Sequence, residues 1–163
     1  MASSDFVLYE EEFQRLEEAL RRLRQESNAK AVFLIDKNGQ QIAAAGDVEQ
    51  FDTTSLASLT AGNVAATDGL AKLIGEREFS VLFHEGEKDN IHITIVSKAI
   101  LVVIFDDRSS LGLVRLRVKR ANGDLERIFE AMNQKGQSGG GGAPQASPFS
   151  EITDEDIDAL FSE

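Results

Sequence analysis

Ala99-Ile100-Leu101-Val102-Val103-Ile104-Phe105 is a run of seven residues without one polar side chain. Successive residues of a strand face opposite sides, so a run without alternation needs apolar cover on both faces. Val32-Phe33-Leu34-Ile35 reads the same way. Both strands belong in the middle of a sheet, with helices on each side of it. Working outward, Lys37-Asn38-Gly39 carries the Asn-Gly signal of a tight hairpin turn. Gln41 to Ala45 is then a weak partner strand, small enough to lie at an edge. Phe79–Glu85, Ile91–Val96 and Ala99–Phe105, the first two separated by a turn at Gly86 to Asn90, form a three-stranded meander. Phe13, Leu16, Ala19/Leu20 and Leu23 recur at helical spacing and predict a helix over Glu10–Glu26. Asp52-Thr53-Thr54 can cap a second helix that runs to about Ile74 and closes at Gly75. Asp107 to Ser110 can cap a third, from Leu111 to about Gln134, with a core-facing seam of Leu111, Val114, Val118, Ala121, Leu125, Ile128 and Met132. With the doubly apolar strands central, the spatial order is 2-1-5-4-3. The fold class is α/β, a three-layer sandwich of a five-stranded antiparallel sheet with helices on both faces.

Charge divides the chain. Twenty-eight acidic residues face 17 basic ones, for a net charge of −11. Such a balance argues against nucleic acid and anionic lipid as partners. Glu151, Asp154, Glu155, Asp156, Asp158 and Glu163 put −6 into residues 136–163, where there is no Lys or Arg. Gly136 to Pro148 is rich in Gly, Ser and Gln and holds both prolines, the composition of a flexible linker. The expected organisation is a folded domain over 1–135, a linker over 136–148 and an acidic motif over 149–163. In that motif Thr153 can cap a short helix, and Ile157, Leu160 and Phe161 share an i, i+3, i+4 face that suits docking on a partner. No run approaches roughly 18 apolar residues, so no membrane insertion is expected. No secretory leader is visible, which fits a cytoplasmic protein.

Few enzymatic readings survive. The chain has no Cys, which removes thiol nucleophiles, disulfides and zinc fingers. It has no Gly-Lys dipeptide for a phosphate loop and no G-x-S-x-G elbow. His84 and His92 flank a hairpin and could lie opposite each other, but two imidazoles and a loop carboxylate fall short of a metal site. No metal, no cofactor and no catalytic residue is expected. Along the third helix Arg115, Arg117, Lys119, Arg120 and Arg127 alternate with acids, the pattern of a solvated face. The second helix is more informative. Ala57, Ala61, Ala65 and Gly69 fall four apart, Ser58, Gly62 and Ala66 run beside them, and Leu56, Leu59, Leu70 and Leu73 are bulkier. Each interior Gly costs about 1 kcal/mol relative to Ala. Close packing against the chain's own sheet, or close approach by a partner, could offset that cost.

The stretch Asp52 to Ala66, continuing through Gly69 to Glu76, resembles the roadblock family. So do Tyr9 to Phe13, Val32 to Gly39, Val102 to Asp106, Ser110 to Leu116 and the terminal Asp156 to Phe161. The resemblance implies a roadblock-type sandwich with the element order given above, and a homodimer joined edge to edge through the third strand with its second helices side by side. Val81, Phe83, Leu59 and Gly62 would form that interface. It implies further that the paired helices seat one Ras-like small GTPase, two chains to one, through Ala61, Ala65, Gly69 and Lys72. Acceleration of GTP hydrolysis in bacterial cell polarity and motility would follow, with concentration at a cell pole. Thr53 to Ile74 contains no Arg, so repositioning of the GTPase's own switch residues replaces an arginine inserted in trans. Two rival readings remain, a scaffold that tethers a GTPase without changing its rate and a small-ligand sensor. The densely apolar strands leave the sensor little room.

Overall fold

The computed structural model describes residues 10–138. The chain divides into two units, residues 1–132 and 133–163, the second described only through the helical residues 133–138. The elements are α1 (Glu10–Ser27), β1 (Ala31–Asp36), β2 (Gln41–Gly46), α2 (Thr53–Leu73), β3 (Val81–Glu85), β4 (Asn90–Val96), β5 (Ala99–Phe105) and α3 (Leu111–Ser138). All five strands join one antiparallel sheet in the order β2-β1-β5-β4-β3.

Residue parity in the two central strands builds two cores. Val32, Leu34, Leu101, Val103 and Phe105 pack with Leu16, Leu20 and Leu23 of α1 and with Val114, Val118, Leu125 and Ile128 of α3. Phe33, Ile35, Ile100, Val102 and Ile104 pack with Ala57, Ala61 and Val64 of α2 on the other face. Every residue of β1 and β5 is buried, as the unbroken apolar runs require. At the first hairpin, the buried Asp36 carboxylate accepts from the N–H groups of Asn38 and Gln40, both at 2.9 Å. That turn would otherwise leave two donors and a buried charge unpaired.

Several boundaries differ from expectation. The third strand begins at Val81, not Phe79. Its ladder continues beyond Val81 only through the Ile95 N–H to the Ser80 carbonyl at 3.0 Å, although β4 runs on to Val96. A 3-10 turn at Val48–Gln50 has no counterpart in the sequence reading; after it Phe51 meets Phe33 edge-on at 6.3 Å. The third helix runs to Ser138, through Gly136 and past the expected end. Glycine lowers helix propensity without blocking the next hydrogen bond, and the first proline is Pro144. The two histidines are not opposite each other. Phe83 pairs with His92 and His84 with Ile91, so the imidazoles take opposite faces of the sheet.

Two glycines separate backbone need from mere tolerance. A Cβ on Gly46, at φ +91°, would sit 2.5 Å from the Lys30 carbonyl oxygen, whereas one on Gly123 meets nothing within 4 Å. Gly46→Ala should therefore destabilise by about 2 kcal/mol or more. Gly123→Ala, inside α3, should stabilise by up to ~1 kcal/mol. Urea unfolding of the two variants against the parent measures both, and shifts of opposite sign are expected.

Candidate functional site

Both ends of α2 are set by local bonds. The Asp52 carboxylate accepts from the Ser55 N–H at 3.2 Å and from the Ser55 hydroxyl at 2.7 Å, an N-cap. The hydroxyl bond, then the backbone bond, holds Asp52 below its ordinary value of 3.8. At the other end the Glu76 N–H reaches the Ala71 carbonyl at 2.9 Å and the Gly75 N–H reaches that of Lys72 at 3.2 Å. Gly75, at φ +83°, supplies the left-handed residue that this pair of closing bonds needs.

Between those ends the helix is apolar on two opposite sides. Ala57, Thr60, Ala61, Val64 and Ala71 are buried against the sheet. Leu59, Gly62, Ala66, Leu70 and Leu73 recur at steps of three and four on the outward side and are exposed. Leu59 is 74% exposed and Leu73 83%. A helix apolar all round belongs in an interior, and the described residues offer this one an interior on one side only. A Cβ on Gly62 or Gly69 would meet nothing within 4 Å. Close packing on the chain's own sheet is therefore not what these glycines serve.

The four-residue row expected as one face is split. A step of four residues turns about 40° past a full helical turn, so the row rolls from the core to solvent. Ala57 and Ala61 are buried, the latter 9% exposed and inside the α2 core, while Ala65 and Gly69 are exposed. Ala61, expected among the contact residues, thus lies in the α2-side core. Ala65, Gly69 and the exposed Lys72 share one flank of the outward face. Leu59, Ala66 and Leu70 share the other, which leans toward β3, since Asn63 Nδ2 lies 2.9 Å from His84 Nε2 on that strand.

The edge strand presents a different chemistry on each side. Phe83 stacks on Phe105 with ring centroids 6.1 Å apart, and Val81 borders α3 beside Val118. Val81 and Phe83 therefore face α3, whereas Leu59 and Gly62 lie across the sheet on α2. Only a partner meeting the β3 edge itself can touch both sets. Sequence reasoning places Leu70 and Leu73 among the bulky contacts without assigning them outward, and misses Asn63; the +3/+4 spacing from Leu59 is the available signal. Ile157, Leu160 and Phe161 lie outside the described residues. Among the described residues no group of His, Asp or Glu is arranged to hold a metal, and no helix is long and apolar enough to cross a membrane.

A family model for the Roadblock/LC7 domain matches residues 15–105. The chain belongs to the roadblock/LC7 family. It is 61% identical to Myxococcus xanthus MglB, covering 77% of this chain and 96% of that one, with a TM-score of 0.74. The gliding protein MglB of Thermus thermophilus is 36% identical over 80% of this chain and 99% of its own, with a TM-score of 0.75. An MglB solved in a tetrameric arrangement is 35% identical over the same shares, also at 0.75. No protein of curated function matches the sequence. These likenesses identify an MglB-like roadblock protein whose two-sided helix lies within the matched region.

The cap on α2 gives a pH signature. A carboxylate held below its unfolded value stabilises the fold above that value and loses the contribution as pH falls through the lowered one. Asp52→Asn keeps an acceptor for Ser55 but cannot titrate. The parent's urea midpoint should fall more than the variant's as pH drops below 3.8, with the two parallel above pH ~5. Glu26 and Asp106 are also held low, by hydrogen bonds from Arg22 and Arg108 first, so the difference between the two proteins is the readout.

Proposed function

We propose that this roadblock protein is a homodimeric activator of a Ras-like small GTPase of the MglA type. The observation that carries the reading is the outward apolar seam of α2 beside the open edge of β3, in a chain 61% identical to M. xanthus MglB. An unpaired strand edge flanked by exposed Leu and Val is an aggregation hazard unless a second copy covers it. Pairing through β3 would bring the Leu59, Ala66 and Leu70 flanks of two α2 helices together. The Ala65, Gly69 and Lys72 flanks would then remain open as a platform, two chains to one GTPase.

The chemistry of that platform argues for binding rather than direct catalysis. From Thr53 to Leu73 Lys72 is the sole cation, and no Arg is present. An arginine delivered in trans would be worth about 10³–10⁵ in rate. Small residues instead permit close backbone approach, so the platform would act by preferring the GTPase conformation whose own switch residues are aligned. The protein itself would perform no reaction and need no cofactor. Action within the cytoplasm at a cell pole completes the proposal.

Three measurements on the full chain test it. Sedimentation at micromolar concentration should give the mass of two chains, and Leu59→Asp/Ala66→Asp should give one chain with unchanged secondary structure. Ala65→Arg/Gly69→Arg should stay dimeric yet lose GTPase binding, because two long cations would clash and bury unpaired charge. Single-turnover GTP hydrolysis by an MglA-type GTPase should accelerate with the parent protein and not with that variant. Binding without acceleration would make the protein a tether.

A further inference from the structure

The hairpin that joins β1 to β2 carries chemistry that neither a dimer nor a GTPase platform uses. Of the six asparagines in the chain, Asn38 and Asn122 stand directly before a glycine. A glycine has no Cβ to hinder its backbone nitrogen. That nitrogen can therefore reach the carbonyl carbon of the preceding Asn side chain and close a five-membered ring. Before Ala29, Val64, Ile91 and Gln134 a side chain obstructs the same attack.

The fold treats the two Asn-Gly sites differently. Asn122 lies inside α3, where the Gly123 N–H belongs to the helix ladder, and the Asn122 Oδ1 is buried. Asn38 is exposed on a turn. Its side-chain amide makes no hydrogen bond among the described residues; only its backbone N–H is engaged, by the Asp36 carboxylate. The Gly39 N–H is held by one bond, to the Asp36 carbonyl at 3.1 Å. An exposed turn opens locally at far smaller cost than the middle of a packed helix.

We propose that Asn38 is a site of spontaneous deamidation and isoaspartate formation, and that Asn122 is spared. The Gly39 nitrogen bonds to Asn38 Cγ, the bond from Cγ to the side-chain nitrogen breaks, and the displaced proton leaves with that nitrogen as ammonia. The cyclic imide then takes up one water. Opening at Cγ restores the ordinary backbone with an aspartate side chain. Opening at the main-chain carbonyl routes the chain through Cγ as isoaspartate, with one more main-chain atom.

The turn accommodates the first product and not the second. The Asp36 carboxylate accepts from the N–H groups of residues 38 and 40 at 2.9 Å each, a span that an extra main-chain atom lengthens. Movement toward α2 is closed off. A Cβ on Gly39 would already stand 3.1 Å from Ser58 Cα and 3.6 Å from Ala61 Cβ. The isoaspartyl turn therefore releases the Gln40 N–H from Asp36.

The test is incubation of the full-length protein in warm, mildly alkaline buffer, folded and in urea. Peptide mapping and methyl transfer by an isoaspartyl methyltransferase follow the products. In urea both sites should convert at similar rates. In the folded protein Asn38 should convert about tenfold faster than Asn122 or more. Asn38→Gln should remove that signal, because glutamine would have to close a larger ring. In the isoaspartyl fraction the Gln40 amide should exchange its hydrogen about tenfold faster than in fresh protein, while Asn38→Asp, which keeps the backbone, leaves it unchanged. Equal rates at the two sites in the folded protein overturn the proposal, as does no conversion at Asn38 under conditions where urea permits it. So does Gln40 exchange that isoaspartate leaves unchanged, or that Asn38→Asp raises equally.

Discussion

The sheet needs cover on both faces, and on one of them the described residues supply a single helix. β1 and β5 are buried throughout, so neither face can meet water. α1 and α3 share one face; on the other α2 is the single α-helix, with Val48 and Phe51 of the 3-10 segment beside it. A lone helix across five strands must lie close, which suits Ala57 and Ala61, and it must leave its own outer side bare. The exposure of Leu59, Leu70 and Leu73 follows from that arrangement combined with apolar residues on the wrong side for a monomer. Had a second helix flanked α2, the outward seam would be core.

The edge strand is held by the same economy of contacts. β3 has one strand neighbour, β4. It is also anchored by the Phe83–Phe105 stack on one face and by Leu82 in the α2-side core and the Asn63–His84 bond on the other. An aromatic pair contributes about 0.5–1.5 kcal/mol beyond area burial, enough to seat a short strand but not to hide its outer hydrogen-bonding groups. The strand is thus positioned by its own chain and left open to pairing. Lys30, whose ammonium lies 3.2 Å from Asp89, ties the turn that follows β3 back to the start of β1, so the edge is presented in a defined place.

The sequence made the fold legible wherever one residue pattern had one physical meaning. An unbroken run as short and β-branched as Ile100 to Phe105 reads as a doubly covered strand, and its central place then orders the sheet. Asn38-Gly39 and Asp52-Ser55 act over a few residues, so their turn and cap needed no tertiary knowledge. Legibility fell where a pattern had to be projected around a helix. The +4 row from Ala57 to Gly69 looks continuous in sequence, but the 3.6-residue turn rolls it from core to solvent, which is why Ala61 lies in the core while Ala65 and Gly69 are exposed. His84 and His92 failed for a related reason: one residue of register exchanges faces.

The proposed platform, lacking a charged catalytic group, would have a ceiling on what it can do. If binding only selects the hydrolytic arrangement of a GTPase, the rate gain cannot exceed the inverse of that arrangement's population in the free GTPase. A partner already aligned about a tenth of the time could gain about tenfold at most. A gain near the 10³–10⁵ typical of an inserted arginine would need an aligned state populated at about one part in 10³ or less, and an affinity difference between the two states of similar size. Such a difference, ~4 kcal/mol or more, must come from contacts made in one state and not the other. Alanine and glycine at positions 65 and 69 supply little of it by themselves. In the proposed complex they would act by permitting approach, so that the discriminating contacts would fall to the bulkier groups beside them, Lys72 and Leu73.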